Sequence, residues 1–169
     1  RLTFLAYAQL QISKWVRSAD EISDDVTLSL LARAKSRVGI RRRVSLRDIH
    51  ACSTPLVTGW FRIVVLLPTN VRLSLSNTEL ESVLVHELTH VARWDSFTRV
   101  IQAIVSSVYF FHPGLWIANR YLRRTCEDAC DEQTIAALAG RRKCYAEAIL
   151  KAAALVGYEP PLLTLSMLD

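Results

Sequence analysis

The chain has 169 residues, of which 51% are apolar, 22% charged and 8% aromatic, so it is long enough for one domain of ordinary size and too apolar to be intrinsically disordered. Five Gly and five Pro exclude a collagen-like or low-complexity chain. A net charge of +5 against a mean hydropathy of +0.20 means that greasy and polar segments are segregated, with basic residues flanking apolar helices as on the cytoplasmic side of membrane proteins.

The chain opens on Arg1 without a signal peptide and is expected to be a piece of a longer protein. Its first stretch, Leu2 to Ala8, reads as the tail of a transmembrane helix, whose end is expected over residues 1–20. From Asp24 to Val38 the apolar residues Val26, Leu30, Leu31, Ala34 and Val38 recur at helical spacing, and Gly39 supplies a stop. Val44, Leu46, Asp48 and His50 then fall on one strand face. After Pro55 and Gly59, the run Phe61 to Leu67, ending at Pro68, is rich in β-branched residues and reads as a second strand. Two or three short strands should form a small sheet here, and the strand ending at Pro68 is expected to offer an edge to an extended peptide.

Ser76 followed by Glu79 is a capping box, which starts a helix carrying Leu80, Val83, Leu84, Leu88 and Val91 to about Trp94. Residues 100–119 carry no charge and are bracketed by Arg99 and Arg120. Twenty residues could span a bilayer, but Gln102, Ser106, Ser107, His112 and the Pro113-Gly114 break predict a buried or re-entrant hairpin of two helices instead. Further helices are expected from about Leu115 to Leu138 and from Lys143 to Val156, before a tail over residues 158–169.

Chemistry is concentrated in His86-Glu87-Leu88-Thr89-His90. Residues four apart share one helix face, so both imidazoles can reach one metal ion. Glu87 is rotated by roughly 100° and stands beside that ion, where a carboxylate can take a proton from water. A bare motif of this kind also arises by chance, so a third ligand decides its meaning. The position six residues past His90 is Ser96, which excludes the metzincin pattern. Downstream, Glu127 can donate a carboxylate oxygen, and Asp131, four residues on, can accept the second N–H of a ligand histidine. Cys126 and Cys130 flank Glu127 and keep open a His-His-Cys site. Four cysteines otherwise make no disulfide scaffold and suit a reduced, cytosol-facing compartment.

The run from His86 to Asp95, followed by Glu127 to Asp131, resembles the BlaR/MecR-type antirepressor metallopeptidases, membrane-embedded gluzincins that signal β-lactam exposure. Pro55 to Gly59 leading to Leu66-Leu67-Pro68 is similar to the segment before that family's metal helix. Phe111-His112-Pro113 is close to its aromatic-Asn-Pro turn, with His112 in place of Asn. The likeness covers about residues 25–155. It implies an α+β, mostly helical, gluzincin-like and membrane-associated domain over residues 21–157, with a small sheet before the metal-binding helix. It further implies one Zn2+ held by His86, His90 and Glu127, with Glu87 as general base. Asp131, Arg93 and Asp95 would stand behind the ligands, Arg93 pairing with Asp95 rather than meeting an oxyanion.

On this likeness the chain is a zinc metalloendopeptidase domain of a signal transducer in the bacterial inner membrane, its site facing the cytoplasm. Its partners would be membrane lipid and a protein or peptide substrate, such as a transcriptional repressor or the transducer itself. The alternative is a non-proteolytic zinc module that relays a conformational signal, for which an intact Glu87 has no use. Direct nucleic-acid binding is not expected, because the aromatic residues sit in apolar runs rather than alternating with Arg and Lys.

Overall fold

The computed structural model describes residues 2–50, 52 and 54–155; the tail expected over 158–169 lies outside them. A first helix, α1 (Leu2–Ser18), leads through the two-residue strand β1 (Asp20–Glu21) into α2 (Asp25–Val38). Asp24 caps α2 by accepting from the Thr27 N–H at 2.7 Å, and Gly39 ends it at φ 77°, a left-handed conformation that glycine adopts without steric cost. Strands β2 (Val44–Ile49), β3 (Leu56–Thr58) and β4 (Ile63–Pro68) follow, then a six-residue helix, α3 (Thr69–Ser74), that no periodicity announced. Four longer helices complete the described chain: α4 (Asn77–Ala92), α5 (Asp95–Val108), α6 (Pro113–Ala137) and α7 (Arg142–Leu155).

The sheet is mixed, in the order β1-β2-β4-β3. β4 runs parallel to β2, with Leu46 opposite Val65, and antiparallel to β3, with Val57 also opposite Val65. Both edges of β4 are therefore occupied, which corrects the expectation that the strand ending at Pro68 offers an edge. The open edge at that side of the sheet belongs to β3. The reason lies in burial. Val65 and Leu67 face α2 and α4, while Leu66 packs on the other face with Ile49 and Ala19. A continuous apolar run is what a strand covered on both faces requires. The same two-sided cover breaks the alternation expected of β2, whose buried residues are Leu46 and Ile49, and leaves His50 exposed beyond its end.

Helix α4 is the axis of the fold. Leu80, Val83, Leu84, Val85 and Leu88 are at most 3% exposed and pack among α2, the sheet and α7. Its start is the capping box: Ser76 Oγ accepts from the Glu79 N–H, and the Glu79 carboxylate accepts from the Ser76 N–H at 2.8 Å. Lys151 of α7 also donates to Glu79. With these donors, that of Lys151 foremost, the Glu79 carboxyl is held down at about 2 against an ordinary 4.5. A carboxyl lowered by folding stabilises the native state above its unfolded pKa and loses that contribution as pH falls through the folded one. Unfolding followed by circular dichroism should therefore show stability declining from about pH 4.5 to about 2, less so in Glu79→Gln.

Two residues further along α4, Glu81 is 2% exposed and meets three guanidinium groups: Arg37 at 2.8 Å, Arg33 at 3.2 Å and Arg141 at 3.4 Å. This cluster ties α2 and the α6–α7 turn to α4. Removing a buried partner leaves like charges facing each other, which costs about 3–5 kcal/mol when all are fully buried. The arginine side chains here are 31% to 57% exposed, so Glu81→Ala is expected to lower unfolding free energy by about 2 kcal/mol, read from the urea midpoint.

Among the described residues no helix is long and apolar enough to cross a membrane. The break before Pro113 joins two helices; His112 precedes α6 without a side-chain cap, and Pro113 takes a first-turn position where its missing N–H costs nothing.

Candidate metal centre

Residues 79–85, 88 and 89 of α4 are buried, whereas His86, Glu87 and His90 are only half-buried. The two imidazoles stand 4.8 Å apart at 87° to one another. Helix α6 packs on α4 and delivers Glu127, whose Oε2 lies 4.0 Å from His86 Nε2 and 3.6 Å from His90 Nε2. Two ligands of a tetrahedral zinc ion, each about 2.0–2.1 Å from it, are themselves separated by roughly 3.4 Å. Glu127 Oε2 thus stands from each ring at nearly the separation that one shared ion imposes.

The other nitrogen of each ring is held from behind. Helix α4 ends at Arg93, and Trp94 adopts a left-handed conformation, φ 60°, so that α5 departs sharply from α4. That turn brings Asp95, 4% exposed, to 2.7 Å from His90 Nδ1. A carboxylate can only accept, so His90 carries a proton on Nδ1, and its Nε2 is the atom that faces Glu127. Arg93 Nε donates to Asp95 at 3.3 Å and does not enter the cleft side of the ring. Trp94 itself is braced by Arg42, whose guanidinium carbon lies 4.7 Å from its ring centre.

For His86 the support is different. Tyr145 of α7 lies with its hydroxyl 2.7 Å from His86 Nδ1 and donates to Asp131 Oδ1 at 2.5 Å, while Asp131 Oδ1 is itself 3.3 Å from Nδ1. With its proton given to Asp131, the Tyr145 oxygen accepts from Nδ1–H, again leaving Nε2 for the convergent side. Burial and the Asp131 charge raise the phenol far above its ordinary pKa, so it stays protonated. Nothing local in the sequence marks Tyr145. The available signal was its helical spacing with Ala148 and Ala152, which turn the same face of α7 inward. Tyr145→Phe keeps the ring's packing and removes the bridge. Such losses typically cost 10–100-fold in metal affinity, and zinc competition against a chromophoric chelator is expected to show about that.

Arg99 was also missed. Its Nη2 donates to Glu127 Oε1 at 3.1 Å, fixing one carboxylate oxygen and leaving Oε2 for the rings. Cys130 is fully buried, with Sγ 3.7 Å from His86 Nδ1 and 3.5 Å from the His86 carbonyl oxygen. His86, His90 and Cys130 have donor atoms all within 4.8 Å of one another. Cys126 lines a small crevice behind the centre, together with Asp95, Arg99, Gln102 and Glu127.

Electrostatically the cluster calls for positive charge. Burial works against the His90 imidazolium, yet the nearby Cys130, Glu127 and Asp95 push its pKa up to about 11. Glu127 is held below the ordinary carboxylate range, chiefly by its hydrogen bond with His90. A divalent cation satisfies the same acids in place of the proton. Two imidazole nitrogens and one carboxylate oxygen are moreover the donor set of a catalytic zinc site. The residues present fit that ion. Glu87, beside them, is raised above its ordinary value by burial and lines a cleft of about 380 Å³ with His86, His90 and β3 residues Leu56 and Val57.

The family model described as BlaR1 peptidase M56 matches residues 1–168. Among curated proteins, the methicillin resistance mecR1 proteins of Staphylococcus aureus, strain Mu50 included, and of Staphylococcus epidermidis are each 29% identical to this chain over 112 residues. The match takes in 66% of this chain and 19% of each relative, so the chain spans about a fifth of the proteins it matches.

Proposed function

The chain belongs to the BlaR1 peptidase M56 family, and from that premise we propose that it is the zinc metalloendopeptidase domain of a membrane-associated signal transducer. Its substrate is a peptide bond in a cytosolic regulator, such as a repressor, or in the transducer itself. One observation carries the reading: both histidine Nε2 atoms converge on Glu127 Oε2, and Glu87 lines the same cleft. The mecR1 relatives are named for methicillin resistance, and by that likeness the signal answered is of the antibiotic class.

A zinc ion held by His86, His90 and Glu127 would supply Lewis acidity, making water a stronger acid and a carbonyl a better electrophile. The remaining work falls to the chain. Asp95 on one side, and Tyr145 with Asp131 on the other, keep the ring protons on Nδ1. Arg99 holds the outer oxygen of Glu127. Glu87 takes the proton of the attacking water and returns it to the leaving amine. Its raised pKa brings it nearer to working pH, where a general base and acid in one residue is most effective. Strand β3, paired with β4 on one side, lines the cleft and can add an extended peptide on its open edge.

The zinc-loaded protein should hydrolyse an unstructured polypeptide, stop when phenanthroline strips the metal, and resume when zinc is restored. Stoichiometric zinc without hydrolysis would favour the relay alternative.

A further inference from the structure

Helix α5 is packed inside out. Beyond Asp95 at its start, its buried residues are Ala103 and Ser106, 4% and 0% exposed, and Ser106 Oγ accepts from Asn119 Nδ2 of α6 at 2.7 Å. Its large residues point away: Ile104 is 56% exposed and Val108 60%. The turn to α6 continues this face with Phe110 and Phe111, and α6 with Ile117, all more than half exposed. Small residues between helices and large apolar ones outside is the arrangement of helices that meet lipid, not water. An exposed patch of this extent marks a docking surface.

A second segment joins it. The turn between β3 and β4 raises Phe61, 95% exposed, and its neighbour Trp60 makes an edge contact with Phe97 of α5 at 5.9 Å. Trp60, Trp94 and Phe97 also line a crevice with His90, so the patch begins beside the metal centre. Charge identifies the occupant. From Ser96 to Cys126 there is no Asp or Glu, while Arg120 and Arg124 are exposed on α6 and Arg62 follows Phe61. A second copy docking the same patch on itself would set these arginines against their own counterparts. Anionic headgroups would neutralise them.

We propose that the α5–α6 hairpin and the β3–β4 turn together seat the protein on the surface of an anionic bilayer, lying in the interface rather than crossing it. At 14 residues α5 is about 21 Å long, short of the roughly 30 Å hydrocarbon layer. Aromatic residues with a polar handle suit that depth, and Trp116 Nε1 already donates to the Phe110 carbonyl at the turn. This deepens the membrane-associated part of the proposed function and rests on that part alone; it does not require proteolysis.

The test is flotation of the protein with vesicles of phosphatidylcholine alone or mixed with phosphatidylglycerol. Binding should favour the anionic vesicles and weaken with salt. Ile104→Ser with Val108→Ser should reduce it at least about tenfold through lost apolar burial, and Arg120→Ser or Arg124→Ser about fivefold each. Far-UV circular dichroism and zinc stoichiometry report whether these surface variants still fold. Equal binding to both vesicles, binding to neither, or a lipid-free dimer that the same variants dissolve would each overturn the proposal. Hydrolysis of a soluble peptide, measured in parallel, tells this failure from a failure of the proteolytic reading.

Discussion

Glu87→Gln should lower kcat/KM for a fluorogenic peptide by about a thousandfold while zinc stoichiometry stays at one per chain. The substitution keeps the side chain's size and removes its ability to hold a proton. Glu87 lies one residue from His86 and three from His90 but lines the cleft rather than meeting the two Nε2 atoms, so the metal has no reason to leave with it. His86→Ala or His90→Ala, in contrast, should lose metal and hydrolysis together. Hydrolysis by Glu87→Gln near the parent rate would remove Glu87 from the chemistry and leave the His-Glu-x-x-His motif as a binding site alone.

The second large effect concerns the third ligand, for which α6 offers two residues. Glu127→Ala should weaken zinc binding by more than about a hundredfold, beyond the 10–100-fold typical of losing a group behind a ligand. Cys130→Ser should change it by no more than a few-fold. The geometry favours the acid: Glu127 Oε2 faces both Nε2 atoms, whereas Cys130 Sγ lies toward His86 Nδ1, a nitrogen already engaged by Tyr145 at 2.7 Å. A buried thiol against a helix carbonyl is an ordinary packing contact. The reverse ranking of the two variants would make the centre a His-His-Cys site and strengthen the relay alternative.

What was legible in the chain was what local rules encode. The spacing of His86 and His90 and the Ser76–Glu79 cap depend on residues within one turn of each other, so periodicity sufficed to read them. Gly39 and Pro113 mark helix limits for equally local reasons. Strand order was illegible because β4 pairs with β2 and β3 through contacts that no single segment specifies, and its apolar run suits an interior strand as well as an edge. Tyr145 reaches His86 across 59 positions, and Arg99 reaches Glu127 across 28; only the packing of α7 on α4 and of α5 on α6 creates those pairs. The sharp turn at Trp94 had no glycine to announce it, yet it is what sets Asp95 behind His90. The uncharged stretch 100–119 could be read as two helices with a break. That its large residues face outward required the packing of Ala103 and Ser106 to be seen.

X-ray absorption at the zinc edge of the metal-loaded protein addresses the centre itself. Two imidazoles and a carboxylate oxygen should give a single nitrogen and oxygen shell at about 2.0–2.1 Å with imidazole outer-shell scattering. A sulfur shell at about 2.3 Å, or a shell without imidazole, would contradict a centre built from His86, His90 and Glu127.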